Sequence, residues 1–163
     1  MQLEQSSLRF SGDNNVQDQE IEADSQNCRE GWHYHEGSCY SFSTAWLSWG
    51  DGQAICKTYN ATLAEIGTSG ENEFLRNMAR TNQGEVTYLG GTDMFTEGTW
   101  EWASSGTHIY PFTDWGAGEP DGGTAEDCLA FAGSRGYHWA DVMCNHVNTF
   151  ICEAKPTKGP TVG

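Results

Sequence analysis

The sequence predicts an α+β fold, and three observations support this prediction. Two segments in the first half of the chain carry helix start signals and apolar residues at helical spacing. Short alternating or apolar segments, typical of strands, lie before and after them. Six cysteines, an even number, indicate a disulfide framework, although spacing alone leaves their pairing open. The chain of 163 residues is long enough for one domain with its own core.

The folded domain is expected at residues 28–153, because the composition changes at both limits. Residues 1–27 hold six acidic residues and one arginine without periodicity, which predicts a flexible leader or, alternatively, a partner-binding arm. Residues 154–163 form a Pro/Gly tail. No N-terminal stretch resembles a signal peptide, so we expect that it has been removed or that the sequence is a fragment. No apolar run approaches the roughly 20 residues that span a bilayer, so membrane insertion is not expected.

The first predicted elements are a β-hairpin and a short helix. The hairpin lies within residues 31–40, where aromatic and polar residues alternate, and Cys28 and Cys39 are close enough to staple it. The helix is expected at residues 49–59, with Ser48 as its start signal. It would bury Cys56 and so bring that cysteine into the core.

The second helix has stronger signals than the first. Thr68 and Glu71 form a capping box, and Gly84 is expected to close the helix. The apolar stripe consists of Phe74, Leu75 and Met78. Beyond Gly84 the pattern changes, and a long Gly- and acid-rich stretch runs to about Asp127. Strands are expected at residues 86–89, 99–102, 128–131, 138–140 and 148–153.

The charge of the chain limits its partners and points to a cation. A net charge of −15 opposes binding to nucleic acid or anionic membranes and favours cations or basic surfaces. Residues 90–141 hold nine acidic residues, with Arg135 as their only lysine or arginine. Carboxylates gathered on loops are the ligands that Ca²⁺ requires, and they would repel one another without a cation. Calcium is therefore the predicted cofactor, and a solvated acidic loop is the alternative.

Enzymatic activity is not expected, although paired carboxylates also occur in glycosidases. A glycosidase needs one carboxyl group with a raised pKa, whereas a neighbouring Ca²⁺ lowers carboxylate pKa values. If all six cysteines are paired, no thiol nucleophile remains. The competing class is a structural or interaction protein that binds calcium mineral or a protein partner through its acidic face.

Taken together, motifs along residues 28–153 resemble the C-type lectin-like domain family. The first is an opening Cys-x10-Cys hairpin that ends in Ser-Cys-Tyr, as in the long form of the domain. The others are Tyr88-Leu89-Gly90-Gly91, Gly98-Thr99-Trp100-Glu101-Trp102, Glu119-Pro120-Asp121, Glu126-Asp127-Cys128, Trp139-Ala140-Asp141 and Phe150-Ile151-Cys152-Glu153. The segment at residues 41–44 and the acidic character are similar to invertebrate, perlucin-like lectins.

The resemblance implies a fold and a disulfide pattern. The expected C-type lectin-like fold has two helices, two small antiparallel sheets and a long calcium-binding loop region. The implied disulfides are Cys28–Cys39, Cys56–Cys152 and Cys128–Cys144. Such a framework is typical of secreted, extracellular proteins, so this location is expected.

The resemblance also implies a function, namely calcium-dependent glycan recognition of the kind used in innate immunity. The implied calcium ligands are Glu119, Asp121, Glu126 and Asp141, which would also hydrogen-bond the two sugar hydroxyls that the ion coordinates. Pro120 resembles the family's cis proline. A second, auxiliary calcium site is implied at Asp93, Glu97 and Asp127, together with the carbonyl of Glu126.

The chain departs from the family's pattern at the expected sugar site. Mannose-type sites have Glu and Asn around the proline and galactose-type sites have Gln and Asp, but here the pair is Glu119 and Asp121. Ala140 stands where the family has Asn. Carboxylates only accept hydrogen bonds, so the loss of two donors would weaken sugar binding about ten- to a hundred-fold. Glycans of either type are expected to bind weakly, so useful binding needs multivalency, which a homo-oligomer would provide.

Other outcomes and sites remain open at this point. A calcium-binding domain that has lost sugar binding and acts through a protein partner or calcium mineral is the alternative function. Asn60-Ala61-Thr62 is a glycosylation candidate. Four tryptophans are expected in the core rather than as sugar platforms: Trp100, Trp102, Trp115 and Trp139.

Overall fold

The structure, a computed structural model, describes residues 27–157. All of the predicted leader except Asn27, and the last six residues of the predicted tail, lie outside the described residues. The helices are α1 (Trp49–Thr58) and α2 (Ser69–Thr81). The strands are β1 (His33–His35), β2 (Ser38–Phe42), β3 (Thr62–Leu63), β4 (Val86–Thr92), β5 (Glu101–Trp102), β6 (Cys128–Ala132), β7 (His138–Val142) and β8 (Thr149–Ala154).

The strands form two antiparallel groups that share one mixed sheet. β2 and β3 pair with β8, and β1 pairs with β2. In the second group β4 pairs with β5 and β6, and β6 pairs with β7. A parallel pairing of β4 with β8, which aligns Thr87 with Thr149, joins the two groups. The predicted α+β fold with two helices is confirmed, and the two expected antiparallel sheets are present as parts of this mixed sheet.

Local side-chain hydrogen bonds explain where the helices begin. Ser48 Oγ accepts the N–H of Asp51 at 3.2 Å at the start of α1. Thr68 Oγ1 accepts the N–H of Glu71 at 3.1 Å at the start of α2. The Glu71 carboxylate in turn accepts the N–H of Gly67 at 2.8 Å, one residue earlier than an ideal capping box would predict. Both predicted start signals are therefore in use.

The end of α2 involves Gly84, but not as the left-handed residue. Gln83 has a φ of 56°. The N–H of Gln83 donates to the carbonyl of Arg80 at 3.1 Å, and the N–H of Gly84 donates to the carbonyl of Ala79 at 2.9 Å. These two bonds form a Schellman motif in which Gly84 is the second residue beyond the cap. A Cβ at Gly84 would collide with the Thr87 side chain, so close packing also requires a glycine there.

β4 is longer than predicted and β5 is shorter. β4 continues to Thr92 through Gly90 and Gly91, two residues that do not favour strands by themselves. A Cβ at Gly90 would lie 2.7 Å from the carbonyl oxygen of Leu63, so the backbone of β3 leaves no space for a side chain at position 90. Tertiary packing thus explains a strand segment that residue preference alone does not predict.

Three disulfides and a tryptophan cluster hold the domain together. The bonds are Cys28–Cys39, Cys56–Cys152 and Cys128–Cys144, which are the pairings that the resemblance implies. Trp102 and Trp139 are buried, and Trp100 and Trp115 pack against the same core. The Trp139 ring lies edge-on to the rings of Trp102 and Trp115, at centroid distances of 6.0 and 5.9 Å. This core fixes β7 and, with it, the strand that carries Asp141.

Neither helix of the described residues is long and apolar enough to cross a membrane.

Candidate metal centre

Three carboxylates meet where β7 approaches the long loop before β6. Glu119, Asp121 and Asp141 each offer one oxygen atom, and these atoms lie within 4.8 Å of one another. Asp141 is buried on β7, whereas Glu119 and Asp121 flank Pro120 in the loop. The Glu119–Pro120 peptide bond is cis. The structure therefore brings together three of the four residues predicted as calcium ligands.

Asp141 positions the loop against the strand. Its Oδ1 accepts the N–H of Asp121 at 2.9 Å, and its Oδ2 accepts the N–H of Gly122 at 2.8 Å. Each carboxylate oxygen has more than one acceptor position, so these bonds leave Asp141 able to contact a cation as well. The same side chain thus shapes the cluster and contributes to it.

Glu119 has a buried carboxylate with only one of its oxygens satisfied. Its side chain is 4% exposed, and Oε1 has no hydrogen-bond partner. Burial and the neighbouring carboxylates of Asp141 and Asp121 raise the pKa of Glu119 to about 7. A nearby cation would stabilise its charged form and lower this pKa.

Glu126, the fourth predicted ligand, lies beside the cluster rather than within it. It follows a short 3₁₀ turn, Gly123–Ala125, and a Cβ at Gly122 would collide with its side chain. Burial raises the pKa of Glu126, as do the charges of Asp141 and Asp121. These electrostatic contacts place Glu126 next to the three carboxylates without making it a member of the group within 4.8 Å.

Arg135 also contacts this cluster, and sequence reasoning missed it. Its Nε donates to Glu119 Oε2 at 3.1 Å, and its Nη2 lies 3.8 Å from Asp121 Oδ2. The available signal was that Arg135 is the only lysine or arginine among residues 90–141. That signal does not say which of the nine acidic residues it contacts.

A second group of carboxylates matches the predicted auxiliary site. Asp93, Glu97 and Asp127 each offer an oxygen atom within 4.8 Å of the others. Asp93 Oδ2 accepts the N–H of Gly98 at 2.9 Å, and the hydroxyl of Thr92 donates to the carbonyl of Asp127 at 2.7 Å. Burial, together with Asp93, raises the pKa of Asp127. Backbone and hydroxyl groups thus hold this second cluster in place.

Both clusters contain buried carboxylate oxygens without hydrogen-bond partners, which suits a hard cation. Within residues 27–157, four buried side-chain polar atoms have no hydrogen-bond partner, and three of them are Glu119 Oε1, Asp93 Oδ1 and Asp127 Oδ1. An unpaired buried polar atom is unfavourable, and more so if it is charged. Ca²⁺ binds carboxylate oxygens in flexible geometry, so its chemistry matches these donor sets.

Two further predicted positions lie outside the clusters. Ala140 is buried on β7 opposite Ala130 of β6, and it brings no hydrogen-bond donor to the neighbouring Asp141. Asn60 is exposed in the turn after α1, with a φ of 57°, and its glycosylation stays a prediction.

Comparison with known proteins identifies the family. A family model described as the lectin C-type domain matches residues 45–154. The C-type lectin domain family 4 member M of Nomascus concolor is 34% identical over 131 residues. That alignment covers 80% of this chain and 32% of the relative, so the chain spans about a third of that protein.

Solved structures of similar fold agree with this assignment. The carbohydrate-recognition domain of the mouse scavenger receptor C-type lectin has a TM-score of 0.73 and 27% identity, covering 82% of this chain and all of that one. The herring type II antifreeze protein has a TM-score of 0.72 and 31% identity, covering 80% of this chain and all of that one. The resemblance to perlucin-like lectins in particular stays a hypothesis.

The match also bears on the class of function. The family consists of non-enzymatic carbohydrate-binding proteins, in agreement with the expectation that this chain is not an enzyme. The motifs, the fold, the three disulfides and the family model lead to the same assignment. The chain belongs to the C-type lectin domain family.

Proposed function

We propose that this chain binds glycans in a calcium-dependent manner at the cluster formed by Glu119, Asp121 and Asp141, with Glu126 completing the ligand set. The observation that carries this proposal is the meeting of three carboxylates within 4.8 Å around a buried, unpartnered oxygen of Glu119. An assembled set of carboxylate oxygens, one of them buried and without a hydrogen-bond partner, suits the oxygen coordination of Ca²⁺.

Vicinal sugar hydroxyls are the proposed ligand. A bound Ca²⁺ supplies coordination positions that two neighbouring hydroxyls can occupy. The chain's own carboxylates then accept hydrogen bonds from those hydroxyls. The Asp121 side chain is 51% exposed, which gives a ligand access to the cluster from solvent. The proposed sugars are of mannose or galactose type, since Glu119 matches the first pattern and Asp121 the second.

A protein partner or calcium mineral is the proposed ligand if sugar binding has been lost. Ala140 brings no donor to the site, and an antifreeze protein is among the structures with the same fold. In this alternative the carboxylates bind calcium, but hydroxyl recognition is absent.

Secretion and self-association are further parts of the proposal. Three disulfides suit an oxidising, extracellular compartment. A homo-oligomer would combine weak single sites, since a second binding event within one assembly is favoured by its high effective concentration.

A glycan array, run with millimolar calcium and again with a chelator, tests the proposal. The protein should be presented multivalently, since single-site affinity is expected to be weak. We expect mannose- or galactose-type glycans to bind with calcium and to dissociate with chelator. Glu119→Gln should weaken this binding. Glu36→Gln, which removes a carboxylate from the distant hairpin turn, should leave it unchanged. Absence of calcium-dependent binding would leave the partner or mineral alternative.

A further inference from the structure

Arg135 is the one lysine or arginine among residues 90–141, and it contacts the two carboxylates that flank Pro120. Residues 90–141 hold nine acidic residues and no other lysine or arginine. Arg135 Nε donates to Glu119 Oε2 at 3.1 Å, and Nη2 lies 3.8 Å from Asp121 Oδ2. A positive charge of the chain itself therefore lies against the oxygen atoms that calcium is proposed to bind.

Packing holds Arg135 in this position from two sides. A Cβ at Gly116 would lie 3.2 Å from Arg135 Cβ and 3.5 Å from its Cγ, so the start of the side chain rests on a glycine backbone. On the other side, Arg76 of α2 donates to the carbonyls of Gly136 at 3.2 Å and Tyr137 at 3.1 Å. These contacts hold the 3₁₀ turn Gly133–Arg135 and the start of the Arg135 side chain beside Glu119.

The guanidinium group has the donors that the rest of the site lacks. Glu119, Asp121 and Asp141 are acceptors when ionised, and Ala140 has no polar atom. A guanidinium carries five N–H donors. In the described part of the chain, the one hydrogen bond from the Arg135 side chain goes from Nε to Glu119. With 44% of the side chain exposed, the guanidinium group is accessible to solvent.

We propose that Arg135 is a specificity-determining residue of this site, which opposes calcium as a resident counter-charge and donates hydrogen bonds to sugar oxygens. The inference rests on the proposed function: its calcium part needs calcium to bind at this cluster, and its sugar part needs glycan binding there as well. Its calcium part follows from charge, because a guanidinium beside Glu119 and Asp121 repels a second cation and shares its ligands. Its sugar part follows from donor chemistry, because Arg135 supplies N–H groups where amide side chains are absent.

Three variants separate the charge of Arg135 from its donors. Arg135→Ala removes both, Arg135→Lys keeps the charge without the planar fork, and Arg135→Gln keeps an amide donor without the charge. Lys57→Ala is the matched control, because it removes one positive charge from the exposed end of α1, away from the site. Thermal unfolding with and without calcium shows that each variant is folded.

The first measurement is calcium affinity by titration calorimetry at low ionic strength. Calcium must compete with the exposed ion pair between Arg135 and the carboxylates, and such pairs are worth only a modest free energy. Arg135→Ala and Arg135→Gln should therefore tighten calcium binding by about two- to fivefold. Arg135→Lys and Lys57→Ala should stay near the wild-type value. Unchanged or weaker calcium binding in Arg135→Ala and Arg135→Gln would overturn the counter-charge part of the inference.

The second measurement is glycan binding at saturating calcium with multivalent display. Loss of a charge-assisted donor should lower the affinity of Arg135→Ala roughly tenfold, and Arg135→Gln should retain part of the binding. Equal glycan binding by wild type and Arg135→Ala would overturn the donor part. If wild type binds no glycan, the proposed function fails together with the donor part, while the calcium titration still decides the counter-charge part.

Discussion

The two carboxylate clusters share their ligand chemistry but differ in their surroundings. Glu119 and Asp121 have Arg135 beside them, and Asp121 is half exposed. Asp93 is 2% exposed, and among the described residues no lysine, arginine or histidine forms an ion pair with it, with Glu97 or with Asp127. Each cluster has one buried, one half-buried and one exposed carboxylate, so they differ in charge rather than in access: Arg135 partly neutralises the first cluster, and the second has no such partner within residues 27–157.

This difference teaches that a group of acids alone does not define what a site does. A cluster with a guanidinium beside it has hydrogen-bond donors for a ligand that shares the cation, whereas a cluster held by the backbone of Gly98 and the hydroxyl of Thr92 suits a cation that stabilises the loop. We therefore propose glycan recognition for the first cluster and loop stabilisation for the second. The following predictions test this division, beginning with the largest expected effect.

Asp141→Ala should abolish calcium-dependent glycan binding, with an affinity loss of at least about a hundredfold. It should also lower the free energy of unfolding by about 2–4 kcal/mol, because two backbone N–H groups lose a charged acceptor. Glycan arrays and urea unfolding measure the two effects. Retained binding in this variant would assign the glycan site elsewhere, and Glu36→Gln serves as the folded control.

Calcium affinity at the first cluster should fall about tenfold between pH 8 and pH 6, because Glu119, with a pKa of about 7, must lose its proton to bind the ion. The stability of the cation-free protein should change in the opposite sense. The folded-state pKa of Glu119 lies above the unfolded value of 4.5, so this group stabilises the fold at low pH and that contribution is lost as the pH rises through 7.

Calorimetric titrations at pH 6, 7 and 8 test the first effect, and melting curves in chelator at pH 5 and pH 8 test the second. Glu119→Gln should flatten the pH dependence of calcium binding. A calcium affinity that does not change over this range would contradict the prediction that a proton on Glu119 competes with calcium near neutral pH.

Ala140→Asn should strengthen glycan binding by roughly three- to tenfold, the value of about one added hydrogen bond. Ala140 is buried opposite Ala130, so the larger side chain must also be accommodated there. Melting temperatures report that accommodation separately from binding. If the variant folds and binds calcium but gains no affinity for glycans, donors are not the limiting factor at this site.

Asp127→Asn should raise the melting temperature of the cation-free protein by about 1–2 °C, because it removes one charge from the unneutralised cluster. Calcium should then stabilise this variant less than it stabilises the wild type. The glycan array pattern at saturating calcium should stay the same, since the first cluster is intact. A changed glycan pattern would contradict the division between the two clusters.

Sequence alone determined the features whose signals are local. Ser48 and Thr68 start their helices through hydrogen bonds that reach only three residues along the chain. Most strand segments and the carboxylate run around Pro120 are also visible in short windows, whereas β3 and the end of β4 at residues 90–92 are not. The motif set also led to the family, which the lectin C-type match to residues 45–154 confirms.

Tertiary structure decided what depends on contacts between distant segments. Gly90 lies within a strand because the chain at Leu63 passes too close for a side chain, and β4 joins β8 in a parallel pairing that no local pattern encodes. Arg135 reaches Glu119 across 16 residues because the turn between β6 and β7 lies close to the loop before β6. Charge and residue type are present in the sequence, but distance and burial, which determine the pKa of Glu119 and the partner of Arg135, arise only when the chain is folded.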